Sequence, residues 1–363
     1  MQGPRSPEAN ELDKLYKFLN ENLRQNAPWA INQEYPTALN PQNLHNMSII
    51  ESHEKIVSHA VIKPIITKTP FAIFKLGAIG SVVTDPNFRN QGFSSLNMQN
   101  CLAKATAQSC DLVILWTDQY EFYQKFGFEL AGVECSYQLN QPLPIENKEA
   151  KFIKGPQIDA QAILKLYHQH TVCGMRTTED IQKFLRIPNS NIYTMWSQQN
   201  QLLAYAVEGK GIDLTNYVHE WGGDVGSLMD LLSYMIHLEN KSYTVIAPFH
   251  AVNFRRKLDQ LSPSEHRGFL GMIRIQDFES VAQKVKKAFR SEGLDQIILE
   301  KQHGEIVFGY GRDLYTLSHE ADLVRILFGP VLPTQLDFMK PETQQVLAKL
   351  LPLPLWVWGW DSI

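Results

Sequence analysis

The apolar run FAIFKLGAIGSVVT (71–84) stops at Pro86 and passes through Arg89 and Gly92 into the helical stretch LNMQNCLAKATAQ. A strand that feeds a helix across so short a turn commits this part of the chain to a sheet flanked by helices. A backbone that approaches phosphate closely needs glycine, and a helix N-terminus offers unpaired N–H groups and positive potential. Residues 90–95 therefore have the form of a pyrophosphate cradle. A strand-to-helix turn with one glycine is also commonplace in protein cores, so the turn alone leaves both readings open.

The pattern around it extends the same architecture. Leu12, Leu15, Tyr16, Leu19 and Leu23 recur at helical spacing, which predicts an amphipathic helix over 11–23 packed on a sheet. KIVSHAVIKPIIT reads as the strand before 71–84, and DLVILW (111–116) as a buried strand after the helix. Asp118 and Glu121 then have capping-box spacing for a short helix through Phe126, and GFELAGVECSYQL reads as a further strand of the same unit. The segment QPLPIENKEAK (141–151) combines two prolines with charge and lacks apolar periodicity, which places a boundary there. At 363 residues the chain exceeds what one core serves, and two to three domains are expected. The divisions are 1–140, 150–272 and 273–363. The second unit offers helices at IDAQAILKLYHQH, TTEDIQKFLRI and VGSLMDLLSYMIHL, and a strand pair across a Lys-Gly turn. The third offers the helix FESVAQKVKKAFR, two strands around QIILEKQHGEIVFGYG and the helix DLVRILFG. The fold class is α/β with α+β parts.

Composition narrows the function. Hydrophobic residues at 44% and charged residues at 20% give a folded globular chain, and a formal charge of -4 leaves no basic stripe for nucleic acid. Four cysteines without paired spacing or a histidine cluster suggest reduced thiols and no metal site. The opening residues lack a secretory pattern, and LPLPLWVWGW (351–360) is too short to span a bilayer, so the expectation is a cytoplasmic protein without a membrane partner. The basic run KVKKAFR (284–290) lies on an amphipathic helix as a solvated face.

The second chemical signal is FYQKFGFELAG (122–132), which sets Tyr123 on a short helix that stops before Gly127. A phenol there can donate its proton to a leaving thiolate; an aromatic core helix is the alternative. Together, VVTDPNFRNQGFSS, DLVILW and FYQKFGF resemble the GNAT superfamily of acyl-CoA-dependent N-acetyltransferases over residues 75–132. The remainder looks like the tandem arrangement of enhanced-intracellular-survival type enzymes, which join two GNAT-like domains to a sterol-carrier-like one.

The resemblance implies a GNAT-like mixed twisted sheet in 1–140, a second, degenerate GNAT-like domain in 150–272, and a sterol-carrier-like domain with a tail in 273–363. It implies acetyl-CoA as co-substrate and an amine as acceptor. By position, the strand that pairs with the pantetheine arm falls on Val82, Val83 and Thr84, and an N–H of Val82 or Val83 would bind the thioester oxygen. The phosphate loop falls on Arg89, Asn90, Gln91, Gly92, Phe93, Ser94 and Ser95, with Ser94 where many members carry Gly or Ala. Asp118 and Gln119 would flank the cofactor, Tyr123 takes the general-acid position, and the terminal carboxylate of Ile363 would enter the active site.

HEWGGDVGSLMDLL in the second unit lacks the Arg-x-x-Gly turn, so one CoA site per chain is expected. His219, Glu220 and Trp221 end a strand there and are candidates to hold a cationic amine, Glu220 and Trp221 foremost, against the alternative of a packed strand end. Trp356, Trp358 and Trp360 fall on one side of an extended tail. For the base, a water chain, the Ile363 carboxylate, His53 and Glu220 all stand open. Two rival readings remain, a noncatalytic acyl-CoA sensor and a transferase with a longer acyl or an aminoacyl donor, and a homo-oligomer is open.

Overall fold

The computed structural model describes residues 1–261 and 265–363. The helix Leu12–Leu23 buries Leu15, Phe18 and Leu19, one stripe at spacings of three and four, against the first of three sheets. That sheet runs in the order Gln2–Arg5, Met47–Ser52, Lys55–Lys68, Ile73–Thr84, Leu112–Leu115, Gly271–Ile275 and Glu129–Ala131, with the short Cys173–Gly174 strand on the far end of Lys55–Lys68. Its neighbours are antiparallel except for Ile73–Thr84 and Leu112–Leu115, which are parallel and therefore need a crossover. The helix Phe93–Ala107 supplies it. The buried Asn97 pins this helix to the sheet, accepting from Ser48 Oγ at 2.7 Å and donating to Ser58 Oγ at 2.9 Å.

The second sheet, Glu265–Gly268, Glu134–Leu139, Tyr243–Pro248, Asp213–Gly223, Leu202–Lys210, Asn191–Trp196 and Lys151–Lys154, follows the same plan. One parallel pair, Asp213–Gly223 with Tyr243–Pro248, is bridged by the helix Val225–Glu239. Here the expected divisions need correction, because the two sheets exchange strands. Glu134–Leu139, expected inside 1–140, pairs with Tyr243–Pro248 in the second sheet. Gly271–Ile275, whose first residues were expected to close 150–272, pairs with Leu112–Leu115 and Glu129–Ala131 in the first. The chain therefore leaves the first sheet at Gly132, whose φ of +73° lets it turn with Leu270 packed against it. The stretch GFELAGVECSYQL is two strands in two sheets.

The last unit is a three-stranded antiparallel sheet, Ile297–Gln302, Glu305–Tyr310 and Asp313–Leu317, with the helices Phe278–Ser291, Glu320–Phe328 and Pro341–Leu347. The lysines of KVKKAFR are not all solvated. Lys284 donates to the buried Asp111 of the first sheet, so this helix is tied to the first unit. The tail is not an extended strand: residues 351–358 are irregular and a 3-10 turn spans Gly359–Asp361. Trp356, Trp358 and Trp360 are nevertheless all buried, Trp358 donating to the Val172 carbonyl and Trp360 stacked on Phe184 and Tyr205. All four cysteines are buried free thiols. No helix among the described residues is long and apolar enough to cross a membrane.

Candidate active site

The parallel pair in the first sheet is short. Leu76–Ala78 faces Leu112–Ile114, and beyond Ala78 the two strands part. On its other side Ile73–Thr84 carries a bulge: His59 pairs with Val83 and Val61 with Gly80, so Ser81 and Val82 together oppose Ala60. Ser81 takes the extra residue's left-handed conformation, φ +48°, and His59 Nδ1 bonds its carbonyl at 2.8 Å. A bulge beside a splay re-aims the backbone of residues 80–82, and both open into one cavity of about 1200 Å³.

Val82, Val83, Thr84, Arg89, Asn90, Gly92, Phe93, Ser94, Ser95, Asp118, Gln119, Tyr123 and Ile363 all line this cavity. Gln91 is exposed and lies outside the lining. The helix Phe93–Ala107 starts here with Gly92 as N-cap, no side-chain cap and no acidic residue in its first turn. Gly92 has φ +79°, and a Cβ on it would meet nothing within 4 Å. The first N–H groups of this helix therefore face open space with the positive end of its dipole, which fits an anion such as a pyrophosphate. Ser94 belongs to this geometry, since its hydroxyl is 2.8 Å from Thr84 Oγ1 and ties the strand end to the helix start.

Tyr123 sits on the helix Tyr120–Gln124, edge-on to Phe122 and Phe128. The expected capping box from Asp118 to Glu121 does not form: the N-cap is Gln119 and no side chain caps it. Burial, reinforced by the Asp118 charge, pushes the Tyr123 phenol up to about 12, so it carries its proton throughout the physiological range.

The Acetyltransferase (GNAT) domain family matches residues 4–131, the segment that supplies the bulged strand, the open helix N-terminus and Tyr123. Residues 4–131 are a GNAT acetyltransferase domain by this match, which supports acyl transfer. Solved structures share the fold over nearly the whole length. A probable N-acyltransferase from Enterococcus faecalis V583 has a TM-score of 0.64 at 14% identity, covering 97% of this chain and 96% of that one. A GCN5-related N-acetyltransferase from Anabaena variabilis gives 0.63 at 13%, covering 95% of both chains. Eis1 from Mycobacterium abscessus gives 0.60 at 11%, covering 92% and 91%. No curated protein matches the sequence.

The second sheet repeats the splay and closes it. Its parallel pairing ends at Val218 with Val245, and Trp221 reaches across the opening to donate to the Ile246 carbonyl at 2.9 Å. Asp224 caps the following helix by accepting from Ser227 N at 3.0 Å, where Gly92 leaves the first helix open. Trp221 therefore fills the space that stays open in the first sheet, packed on Phe254 and Trp358, and it does not line the cavity. Glu220 does not line it either. It is fully buried and receives both prongs of the Arg176 guanidinium at 2.7 and 3.0 Å. Those two candidates for amine binding are corrected to structural residues. His53 occupies the turn before Lys55–Lys68 and is also outside the lining, whereas His219 lines the cavity.

Both sheets help to anchor the tail, Lys63 from the first and Lys210 from the second, with Arg176 just beyond the Cys173–Gly174 strand. Arg176 Nε holds Asp361 at 2.8 Å, Lys63 holds the same carboxylate at 3.1 Å, and Lys210 donates to the carbonyls of Gly359, Trp360 and Ser362. Burial would raise Asp361, yet Arg176 and Lys63 hold it down to about 2. Burial, with Lys63 nearby, brings Lys210 down to about 7. So fixed, the tail sets the Ile363 carboxyl carbon 2.6 Å from where a Cβ on Gly80 would sit. Only glycine at position 80 leaves room for this carboxylate against the bulged strand. Arg176, Lys63, Lys210, Asp361 and Gly80 were not singled out in sequence, because their partners are remote along the chain.

Burial also leaves four histidines neutral. It lowers His59, His170 and His250 to about 4 and His219 to about 3. For a group with a depressed native pKa, stability is present above the unfolded value near 6.5 and is lost as pH falls toward the native one. At pH 5 each histidine is expected to remove roughly 2 kcal/mol. Glu134, which burial raises to about 7, works in the opposite direction and offsets about one of them. Thermal unfolding followed from pH 7.5 to 5 should show a steadily falling Tm; a level or rising Tm would mean that these histidines are not buried neutral.

Proposed function

We propose that this chain moves the acetyl group of acetyl-CoA to a primary amine by direct attack within the cavity of the first sheet. The observation that supports this most is the convergence on one cavity of a bulged strand end, an uncapped helix N-terminus, a protonated buried tyrosine and a terminal carboxylate. The N–H groups of residues 93–95, with Arg89, Asn90 and Gly92 around them, are suited to the pyrophosphate. Val82, Val83 and Thr84 would pair with the pantetheine arm, Asp118 and Gln119 would flank it, and an N–H at Val82 or Val83 would stabilise the oxyanion that forms as nitrogen attacks. Tyr123 takes the general-acid position, its phenol donating a hydrogen bond to the departing sulfur as charge grows there. One proton moves overall from nitrogen to sulfur, so the bond that breaks yields a free thiol.

The Ile363 carboxylate, packed against Gly80, would orient water or the entering amine. An α-carboxylate near 3.5 is too weak a base to act alone at neutral pH. The open first helix and the capped second one support one CoA site per chain. The repeated sheet plan supports reading the second unit as a degenerate GNAT-like domain, and the last unit, a three-stranded sheet with three helices, is read as the sterol-carrier-like one. Acetyl-CoA is an intracellular donor and free cysteines fit a reducing compartment, which supports a cytoplasmic setting. The test is thiol release from acetyl-CoA over a panel of primary amines. Amine-dependent release is expected; binding of acetyl-CoA without release by any amine would favour the sensor reading, and release only from longer acyl donors would change the donor.

A further inference from the structure

Glu134 was not singled out in sequence, and the structure sets it where the chain passes from one sheet to the other. It is the first residue of Glu134–Leu139, between Pro248 on one neighbouring strand and Gly268 on the other. Its side chain lines the cavity together with Ile246, Phe269, Leu270 and Trp356. Among the described residues no cation pairs with it: Arg255 and Arg267 on the adjoining elements are taken by Glu265, and in the cavity Arg24 is taken by Glu34 and Asp213 and Lys210 by the tail carbonyls. Burial alone raises its carboxyl to about 7, with no charged neighbour contributing. A carboxylate in a largely desolvated wall is normally paired, so an unpaired one lining a cavity points to a ligand that pairs it.

We propose that Glu134 seats the cationic end of the amine acceptor, in a wall of Ile246, Phe269, Leu270 and Trp356 that selects a monoamine with an apolar or aromatic body over a polycation. This rests on the amine-acceptor reading above. An ammonium placed against a half-desolvated carboxylate restores the charge pairing that burial took away. The same wall penalises a second cation, for which Ile246, Phe269 and Leu270 offer only apolar surface. Phe269, 41% exposed, presents a ring to the body of such an acceptor.

The test compares 2-phenylethylamine with spermidine as acceptors for acetyl-CoA, using the full chain and Glu134→Gln. Expected are a kcat/KM at least tenfold higher for 2-phenylethylamine, and in Glu134→Gln a KM for that amine raised tenfold or more with acetyl-CoA affinity unchanged. Preference for spermidine, or an unchanged KM in Glu134→Gln, would overturn the seat. If no amine reacts, the acetyl-transfer reading fails separately, and calorimetry on the CoA complex still decides the seat. There 2-phenylethylamine should bind at least tenfold more tightly than neutral 2-phenylethanol; equal binding overturns it. Because that comparison uses the unmodified chain, it holds even if Glu134→Gln does not fold.

Discussion

Arg176→Met is expected to remove about 3–5 kcal/mol of stability, the range for breaking a buried ion pair by taking away one partner. The guanidinium is 2% exposed, lies 3.9 Å from the centroid of the Tyr167 ring, and divides its donors between Glu220 and Asp361. Without it Asp361 keeps Lys63, but Glu220 is left fully buried with only Tyr205 Oη at 3.3 Å and a long contact from Trp360 N at 3.5 Å. Burial already raises Glu220 against the pull of Arg176, so in the variant its carboxyl moves further up. Urea unfolding measures the loss. Adding Glu220→Gln should recover a substantial part of it, since removing both charges of a buried pair is far milder than removing one. A loss under about 1 kcal/mol would mean that the pair is much weaker than its geometry implies. A second consequence lies in the active site: the contact that loosens is the one that places Asp361, two residues from the carboxylate against Gly80. Activity should therefore fall more than the folded fraction does.

That network also marks where sequence reading ends. Residues 81–95 were legible because each signal in them is local: an apolar run, a proline, a glycine where the backbone turns, then a helical period. The helix Leu12–Leu23 and the hairpin Leu202–Lys210 with Asp213–Gly223 were legible for the same reason. The exchange of Glu134–Leu139 and Gly271–Ile275 between sheets was not, since a strand's pattern says which face is buried but not which neighbour it pairs with. Glu220 and Trp221 were candidates because a Glu-Trp pair at a strand end has the chemistry of an amine site. Arg176, 44 residues away, claims the glutamate, and the second sheet's splay claims the tryptophan. Glu134 gave no local signal at all. Its character comes from burial at a crossing between sheets that no short window of sequence contains.

Tyr123→Phe is expected to lower kcat roughly a hundredfold to a thousandfold, the lower part of the range for a group that assists proton transfer. Affinity for acetyl-CoA should stay within about twofold, because phenylalanine keeps the ring packed on Phe122 and Phe128 and removes only the hydroxyl. How the hydroxyl acts follows from its acidity. Moving its proton fully to a thiolate whose acid lies near 8.5, from a phenol near 12, is uphill by roughly 5 kcal/mol. The favourable role is a hydrogen bond that strengthens as charge grows on sulfur, with the proton shed by the attacking nitrogen completing the thiol. An interaction made only as the bond breaks lowers kcat and kcat/KM together and leaves binding alone. Steady-state kinetics with titration of acetyl-CoA binding separates the cases. A raised KM with normal kcat would make Tyr123 a binding residue, and unchanged kinetics would return it to the aromatic core.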